Sequence, residues 1–387
     1  MYHLAPLNLK KSCDGRTVDF ELHDVELAMV NALRRIILTD IENVAFYCEP
    51  FETNRSVLVI KNTGALHNEF ILHRISLLPI CLSKMQIRGF KSSDWLFTLH
   101  AVNKTSAMMN VSSGDIEVTY RGKVQNDPVF PIFPKNSITG DTILITKLRP
   151  GEELHLEGRA EKNTARTFAG FQAVSACYHT FIRDNQRVEK AFEALKVTEA
   201  FKALLPAEQE KAISKFWLLD SDRQYHVNEF GDPNRFRFHI ESECALKPMH
   251  IFREAVRVLK QKFMQLKKRL DGVKGVKDDE DDELLVKARF DAIPNAYQFT
   301  FKDEDDTVGF LLQSHILQKF IRDGEKFEGF TVSYVGYCVP HPLDRKMVLR
   351  IILSNDGAET MIPDIVYERL LSATLWELGD ELSVSVA

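Results

Sequence analysis

The stretch VDFELHDVELAMVNALRRIIL, residues 18–38, reads as a strand, an acidic step and a helix, and YQFTFKDEDDTVGFLLQSHIL, residues 297–317, repeats that order without a gap at a constant offset of 279 residues. Under this offset Phe20 meets Phe299, Leu22 meets Phe301, Asp24 meets Asp303, Leu33 meets Leu312, and Ile37-Leu38 meet Ile316-Leu317. In both copies apolar alternation gives way to a helical period. At about 100° per residue, Val25, Met29, Ala32, Leu33 and Ile36 form one stripe of the first helix, and Val308, Leu311, Leu312 and Ile316 form that of the second. Leu27 and Leu38 nevertheless fall on the opposite side, around Asn31 and Arg34, and Phe310 and Leu317 do the same in the second copy. A helix with two apolar faces needs two partners, its own sheet and something else. The economical second partner is the other copy, in a pseudo-twofold pairing like an isologous dimer within one chain. The plainer alternative packs each outlying residue on a loop, which serves one helix better than two. Gly309 inside the second helix costs about 1 kcal/mol against alanine, which points to close approach of another backbone. Asp24 or a neighbour is expected to cap the first helix, and Asp306 or Thr307 the second.

Working outward, 387 residues make two or three domains at roughly 150 residues each, and 44% hydrophobic residues suffice for sizeable cores. Fifty basic and 55 acidic residues give a formal charge of −5, which lacks the positive field an autonomous nucleic-acid binder uses. Cys13, Cys48, Cys81, Cys177, Cys244 and Cys338 are scattered with no C-x-x-C pair, so a zinc ribbon or redox motif has no local support. The start shows no apolar leader, and no apolar run is long enough to cross a bilayer. A soluble protein of a reducing compartment is the simplest reading.

Between residues 84 and 141, clusters at Ser92-Ser93, Ser112-Ser113-Gly114, Asn126-Asp127-Pro128 and Pro131 to Asn136 separate short β-rich runs, which suggests a small inserted domain. Gln186 to Leu205 reads as a charged helix stopped near Pro206. Pro248 to Leu270 reads as another, with Ile251, Ala255, Val258, Leu259, Leu266 and Leu270 on a stripe. Its basic residues, Lys260, Lys262, Lys267, Lys268 and Arg269, are read as a solvated or partner-facing side, because no aromatics interleave with them. The run DGVKGVKDDEDDE, residues 271–283, repels itself and reads as a linker. The expected organisation is therefore a first part over 1–83, a β-rich insert over 84–141, a second part over 142–270, a linker over 271–289 and a last domain over 290–387.

Asn31-Ala32-Leu33-Arg34-Arg35-Ile36-Ile37-Leu38, followed by Asp40-Ile41, resembles the hallmark of the RNA polymerase α-type dimerisation domain. That family comprises the bacterial α subunit, the archaeal D and L subunits, and the third and eleventh subunits of eukaryotic RNA polymerase II. Asn68 to Ile80 is similar to the family's "DE-lahR-lglIPL" segment, with Asn68 for the usual Asp. Thr164 to Tyr178 resembles a later stretch, although only Gln172 to Ala176 and Tyr178 are close. Phe236 to Ser242 resembles the strand before the family's last helix. Phe299 to Gly309 resembles the "f-NEDHTLGN" opening of the eleventh-subunit type, with Asp306 for the usual His and Phe310 for Asn. Gly336 to Leu343 matches "GYkvPHPL" closely.

The resemblance implies an α+β fold with two such domains paired in one chain, a third-subunit-like half fused to an eleventh-subunit-like half, as in large nucleocytoplasmic DNA viruses. It implies a non-catalytic scaffold that assembles a multisubunit DNA-directed RNA polymerase. Leu27, Asn31, Leu38, Gly309, Phe310 and Leu317 would lie in the paired helices, and Arg34, Arg35, Glu69, His73, Arg74 and Pro79 would dock the two largest subunits. Pro340, His341 and Pro342 would fix a turn, with His341 hydrogen-bonded rather than ligating metal. Small zinc-binding adaptor subunits are further implied partners; DNA and RNA would be met only through the complex, with no membrane contact and no homodimer. Relatives of the third subunit carry a zinc loop or iron–sulfur site in the insert, whereas residues 84–141 hold no cysteine, so no cofactor or metal is expected. The location implied is a cytoplasmic viral factory or virion for a viral chain and the nucleus for a cellular one. The competing reading is a free-standing transcription regulator that uses the same fold to bind DNA or polymerase.

Enzymatic readings find little support. His67-Asn68-Glu69 is an H-x-E without the P-C-x-x-C of zinc deaminases, and no phosphate loop, nucleophile elbow or H-E-x-x-H occurs. Cys177 with Tyr178-His179 offers a thiol near an imidazole, but the histidine is expected on the opposite strand face, and buried free cysteine is commonplace.

Overall fold

The computed structural model describes residues 3–54, 56–125, 131–136, 139–243, 245–272, 285–290, 292–355, 361–380 and 382–384. Two four-stranded antiparallel sheets form its frame. In the first, the strand order is Val174–Phe181, Arg235–Ser242, Thr17–His23 and Leu7–Lys11. In the second it is Leu285–Arg289, Ala296–Lys302, Lys346–Ser354 and Thr331–Cys338. Period-2 alternation sends Val18, Phe20 and Leu22 to a buried face opposite Ile240, Phe238 and Phe236. Phe299 and Phe301 do likewise opposite Leu349 and Met347.

The repeat offset holds in three dimensions. Strands Thr17–His23 and Ala296–Lys302 start 279 positions apart, as do the helices Leu27–Thr39 and Asp306–Ile316. The aligned aspartates Asp24 and Asp303 both adopt a left-handed backbone, with φ of 55° and 63°. A short polar side chain tolerates that conformation, and it turns the chain from strand to helix. The turn puts the N-cap position two residues after these aspartates, at Glu26 and Asp305. Asp24 accepts a hydrogen bond from Asn234 Nδ2 at 3.2 Å and caps nothing, and Glu26 before the first helix makes no side-chain cap. The second helix is capped by Asp305, which accepts the Thr307 N–H at 2.9 Å, and not by Asp306 or Thr307.

The long helix Pro248–Gly272 buries Ile251, Ala255, Leu259, Leu266 and Leu270 of the expected stripe, with Val258 half-buried beside them. It lies against the last helix, Asp364–Asp380, and against the first helix. The first strand of the chain, His3–Leu4, pairs in parallel with Ser383–Val384, a second tie between the two ends of the molecule. Buried side chains of both sheets and of these four helices join one continuous hydrophobic core. No helix among the described residues is long and apolar enough to cross a membrane.

Four expectations need correction. The β-rich unit is wider than 84–141: its five-stranded sheet runs Val57–Asn62, Glu153–Gly158, Trp95–Val102, Ile116–Tyr120, Lys123–Val124, so two strands come from the flanking chain. Helix Asn68–Ser76 packs here as well, with Ile75 among Phe46, Val57, Phe97 and Leu156. Turn signals locate local breaks, whereas these pairings span about ninety residues, as from Thr63 to Glu153. The linker is shorter than 271–289, since Leu285–Arg289 is a strand; residues 273–284 lie outside the described residues, as does the Asn126-Asp127-Pro128 turn. The helix expected over 186–205 is two, Asn185–Val197 and Glu199–Lys202. Thr198 ends the first and its hydroxyl caps the second, while Pro206 opens a further helix. Gly309 makes room for a ring rather than a backbone: a Cβ there would lie 2.4 Å from Tyr337 Cδ2 of its own sheet.

Gly309→Ala should therefore lower stability by about 2 kcal/mol, against the gain in helix propensity, and truncating the ring in Gly309→Ala/Tyr337→Ala should recover part of it; urea unfolding of the three variants measures both.

Candidate functional site

The two aligned helices pack directly on each other. Leu27, Leu38, Phe310 and Leu317, the residues left over from the inner stripes, are half-buried against the common core. Leu27, Phe310 and Leu317 meet in a cleft of about 390 Å³, closed on one side by Asp232 and Asn234 from the first half. Asn31 is half-buried on the same helix. Two polar contacts that cross the seam are related by the repeat. Arg35 lies 3.5 Å from Asp305, and Ser314 Oγ donates to Glu26 Oε2 at 2.8 Å. Positions 35 and 314 are related by the offset, and so are 26 and 305: the same contact is made twice, as in an isologous interface.

A charged cluster reinforces one side. Arg166, on the loop before strand Val174–Phe181, donates to Asp40 at 3.0 Å and to Asp305 at 3.1 Å, which links the first half to the cap of the second. Burial disfavours charge on Asp305. The hydrogen bonds of Thr307 and the guanidinium groups of Arg166 and Arg35 outweigh it, and hold the carboxyl at about 2. Arg166 itself is pushed up, chiefly by its hydrogen bond to Asp40. Neighbouring Glu304 behaves oppositely: burial raises its pKa, and Lys262 and Arg269 of the long helix, each 3.8 Å away, offset this only in part. The basic side of that helix thus faces the second half.

The residues expected to dock large subunits divide. Arg35 is engaged within the chain, 3.5 Å from Asp305 and 3.8 Å from Asp306, because the helix pairing brings those carboxylates to it; its place is the seam, not an outer surface. Arg34 makes no ion pair among the described residues and projects its charge on Cys177 and His179. Glu69, His73 and Arg74 lie exposed on helix Asn68–Ser76, whose other side buries Ile71, Leu72 and Ile75; Pro79 is half-buried beyond it. Phe70 and Leu77 stand beside them at 66% and 56% exposure. These two large apolar side chains were not singled out by periodicity, which marks only the inward stripe; their signal was helical spacing with His73 and Arg74, at i, i+3, i+4 and i+7 on the outward side. Leu77 and Pro79 share a groove with Val174 and Ser175 of the sheet-edge strand, so this surface continues toward Arg34. Close approach sets the junction, where a Cβ on Gly170 would lie 2.7 Å from the Ser76 carbonyl.

Pro340, His341 and Pro342 form an exposed turn between the last two strands of the second sheet. His341 Nδ1 accepts the Leu343 N–H at 3.2 Å, and Leu343 at the tip is 84% exposed. Burial pushes the Cys177 thiol up to about 12, so it is not a thiolate at neutral pH. His179, two residues on, shares its side of the strand beside Arg34, contrary to the opposite-face expectation, since strand side chains repeat every second residue. Among the described residues no group of three or more His, Cys, Asp or Glu is placed to hold a metal ion.

Two family models match the chain, each described as the RNA polymerase Rpb3/Rpb11 dimerisation domain, one over residues 19–263 and one over 296–366. Among its relatives, DNA-directed RNA polymerases IV and V subunit 3B of Arabidopsis thaliana is 26% identical over 280 residues, covering 63% of this chain and 85% of that protein. DNA-directed RNA polymerase II subunit RPB3 of Schizosaccharomyces pombe is 26% identical over 286 residues, covering 70% and 87%. DNA-directed RNA polymerase subunit Rpo3 of Pyrobaculum aerophilum is 25% identical over 241 residues, covering 61% and 85%.

Asp305 ionises more readily in the folded chain than in the unfolded one, so its contribution is complete above about pH 4 and disappears as pH falls toward 2. Asp305→Asn should cost about 2 kcal/mol at pH 7 and progressively less below pH 4. Glu304→Gln should have the opposite trend, with its relative stability rising as pH increases through the raised pKa. Denaturant titrations over that range distinguish the two carboxylates.

Proposed function

Because the chain belongs to the RNA polymerase Rpb3/Rpb11 dimerisation family, we propose that it is a non-catalytic assembly subunit of a multisubunit DNA-directed RNA polymerase, in which third- and eleventh-subunit roles are fused. The observation that carries this reading is the seam itself: two copies of one fold, clasped through the helices that the family model covers, leave outer surfaces free for larger partners. Relatives named as subunits 3, RPB3 and Rpo3 of such polymerases support the role.

The docking surface in this proposal is the exposed side of helix Asn68–Ser76 with Leu77, Pro79 and Arg34, and it takes the two largest subunits. Phe70 and Leu77 supply desolvation and Glu69, His73 and Arg74 supply register, the usual division between the core and rim of an interface. Arg35 is assigned to the seam. The turn Pro340-His341-Pro342 presents Leu343 to a further neighbour. Small zinc-binding adaptor subunits belong to the same proposal, with zinc on their side, and nucleic acid is met through the assembled enzyme. The chain resides wherever that polymerase works, the nucleus for a cellular enzyme and the cytoplasmic factory or virion for a viral one.

Co-expression with the two largest subunits of its own polymerase tests the reading. The intact chain should co-purify with them. Phe70→Glu/Leu77→Glu should reduce recovery at least roughly tenfold while leaving the chain's own melting temperature within a few degrees. A folded chain that never co-purifies refutes the assignment. A regulator that binds DNA directly would instead show salt-dependent gel shifts by itself.

A further inference from the structure

The offset that relates the two halves also exposes where they differ. Glu304 of the second half aligns with Val25 of the first, and both are buried. Aligning Pro248 and Pro363, the prolines at the start of the long helix and the last helix, superposes the buried positions of those helices. Ile251 falls on Val366, Phe252 on Tyr367, Ala255 on Leu370, Val256 on Leu371, Leu259 on Thr374 and Phe263 on Leu378. Under that alignment Lys262 falls on Glu377. Among the charged contacts of the seam is therefore one, Glu304 with Lys262 and Arg269, whose symmetry-related site carries Val25 and a glutamate.

The contact is a poor source of stability. Both distances are 3.8 Å, beyond hydrogen-bonding reach, and Glu304 Oε2 and Arg269 Nη1 are buried with no hydrogen-bond partner among the described residues. Burying a carboxylate on such terms recovers little of its desolvation, and an apolar residue like the aligned valine would serve the core as well. What the charge does accomplish is discrimination. If two first halves paired, Lys262 and Arg269 of each would face the other's Val25 with no carboxylate. If two second halves paired, each Glu304 would face the partner's Glu377, whose neighbours His315 and Lys319 already contact it at 3.0 and 2.6 Å. Two second halves would leave two buried carboxylates uncompensated, and two first halves would leave the half-buried Lys262 and Arg269 of each without an anion; only the mixed pairing matches them.

We infer that Glu304, against Lys262 and Arg269, is a pairing-specificity residue that makes each half select the other kind of half and reject a second copy of itself. The two contacts of the paired helices do not discriminate in this way: Arg35 could meet a second Glu26, and Ser314 a second Asp305, because that aligned position is acidic in both halves. Arg322 with Asp232 also joins unlike halves, but at a solvent-exposed rim where an ion pair weighs little.

The test uses the full chain with a protease site placed between Lys277 and Leu284, cleaved after folding and incubated so that the halves can exchange. Native mass spectrometry then counts mixed and like pairs. The unaltered protein should give mixed pairs almost alone. Glu304→Val should raise the fraction of like pairs of second halves about tenfold, and Glu304→Gln should act in the same direction, with thermal melting of the uncleaved variants checking their folds. Asp303→Asn, which removes an exposed charge from the same turn and keeps a side chain that tolerates its left-handed backbone, should leave the ratio unchanged. The inference is overturned if neither Glu304 variant that folds yields like pairs, or if Asp303→Asn yields as many. Co-purification with large subunits is not part of the readout, so failure here leaves the scaffold reading standing.

Discussion

Two helices that are each apolar on two sides cannot be satisfied by their own sheets, and most of this molecule follows from that constraint. Met29, Leu33 and Ile36 fill the first sheet's inner face, and Leu311, Leu312 and Ile316 fill the second's. Leu27, Leu38, Phe310 and Leu317 remain, and packing the helices on each other removes them from water together. Once that seam exists, the long helix and the last helix meet across it, and Gly379 allows Met264 to approach to 3.2 Å of where a Cβ would stand. The chain's ends are drawn together in the same assembly, with His3–Leu4 beside Ser383–Val384.

Charge refines what burial drives. Apolar contact would tolerate sliding along the seam, whereas Arg166 held between Asp40 and Asp305, and Arg35 beside Asp305, fix the register through directional bonds. The cap residue Asp305 thus has two tasks: it closes the second helix and serves as the anion to which the first half attaches. Glu304, one residue earlier, receives less compensation and contributes selectivity instead. Both sit in the turn that Asp303 bends. The outer helix Asn68–Ser76 is held apart from this machinery on the β-rich unit, which leaves its exposed side unoccupied by the chain's own core.

The sequence by itself determined the two-copy plan, because strand and helix periods and the offset of 279 are local properties that survive without coordinates. Phe20 and Phe299, Leu33 and Leu312 were legible as equivalents, and Pro340, His341 and Pro342 were legible as a turn. Only the tertiary structure decided which charges belong to the seam. Arg35 and Arg34 are adjacent in sequence, yet one meets Asp305 and the other lies beside Cys177, a distinction set by 100° of helical rotation and by what the partner brings. Arg166 carried no signal, since its partners Asp40 and Asp305 lie 126 and 139 positions away. The limits of the β-rich unit and the ring that Gly309 admits were hidden for the same reason: periodicity records which side of an element faces inward, while the identity of what it faces depends on contacts between distant parts of the chain.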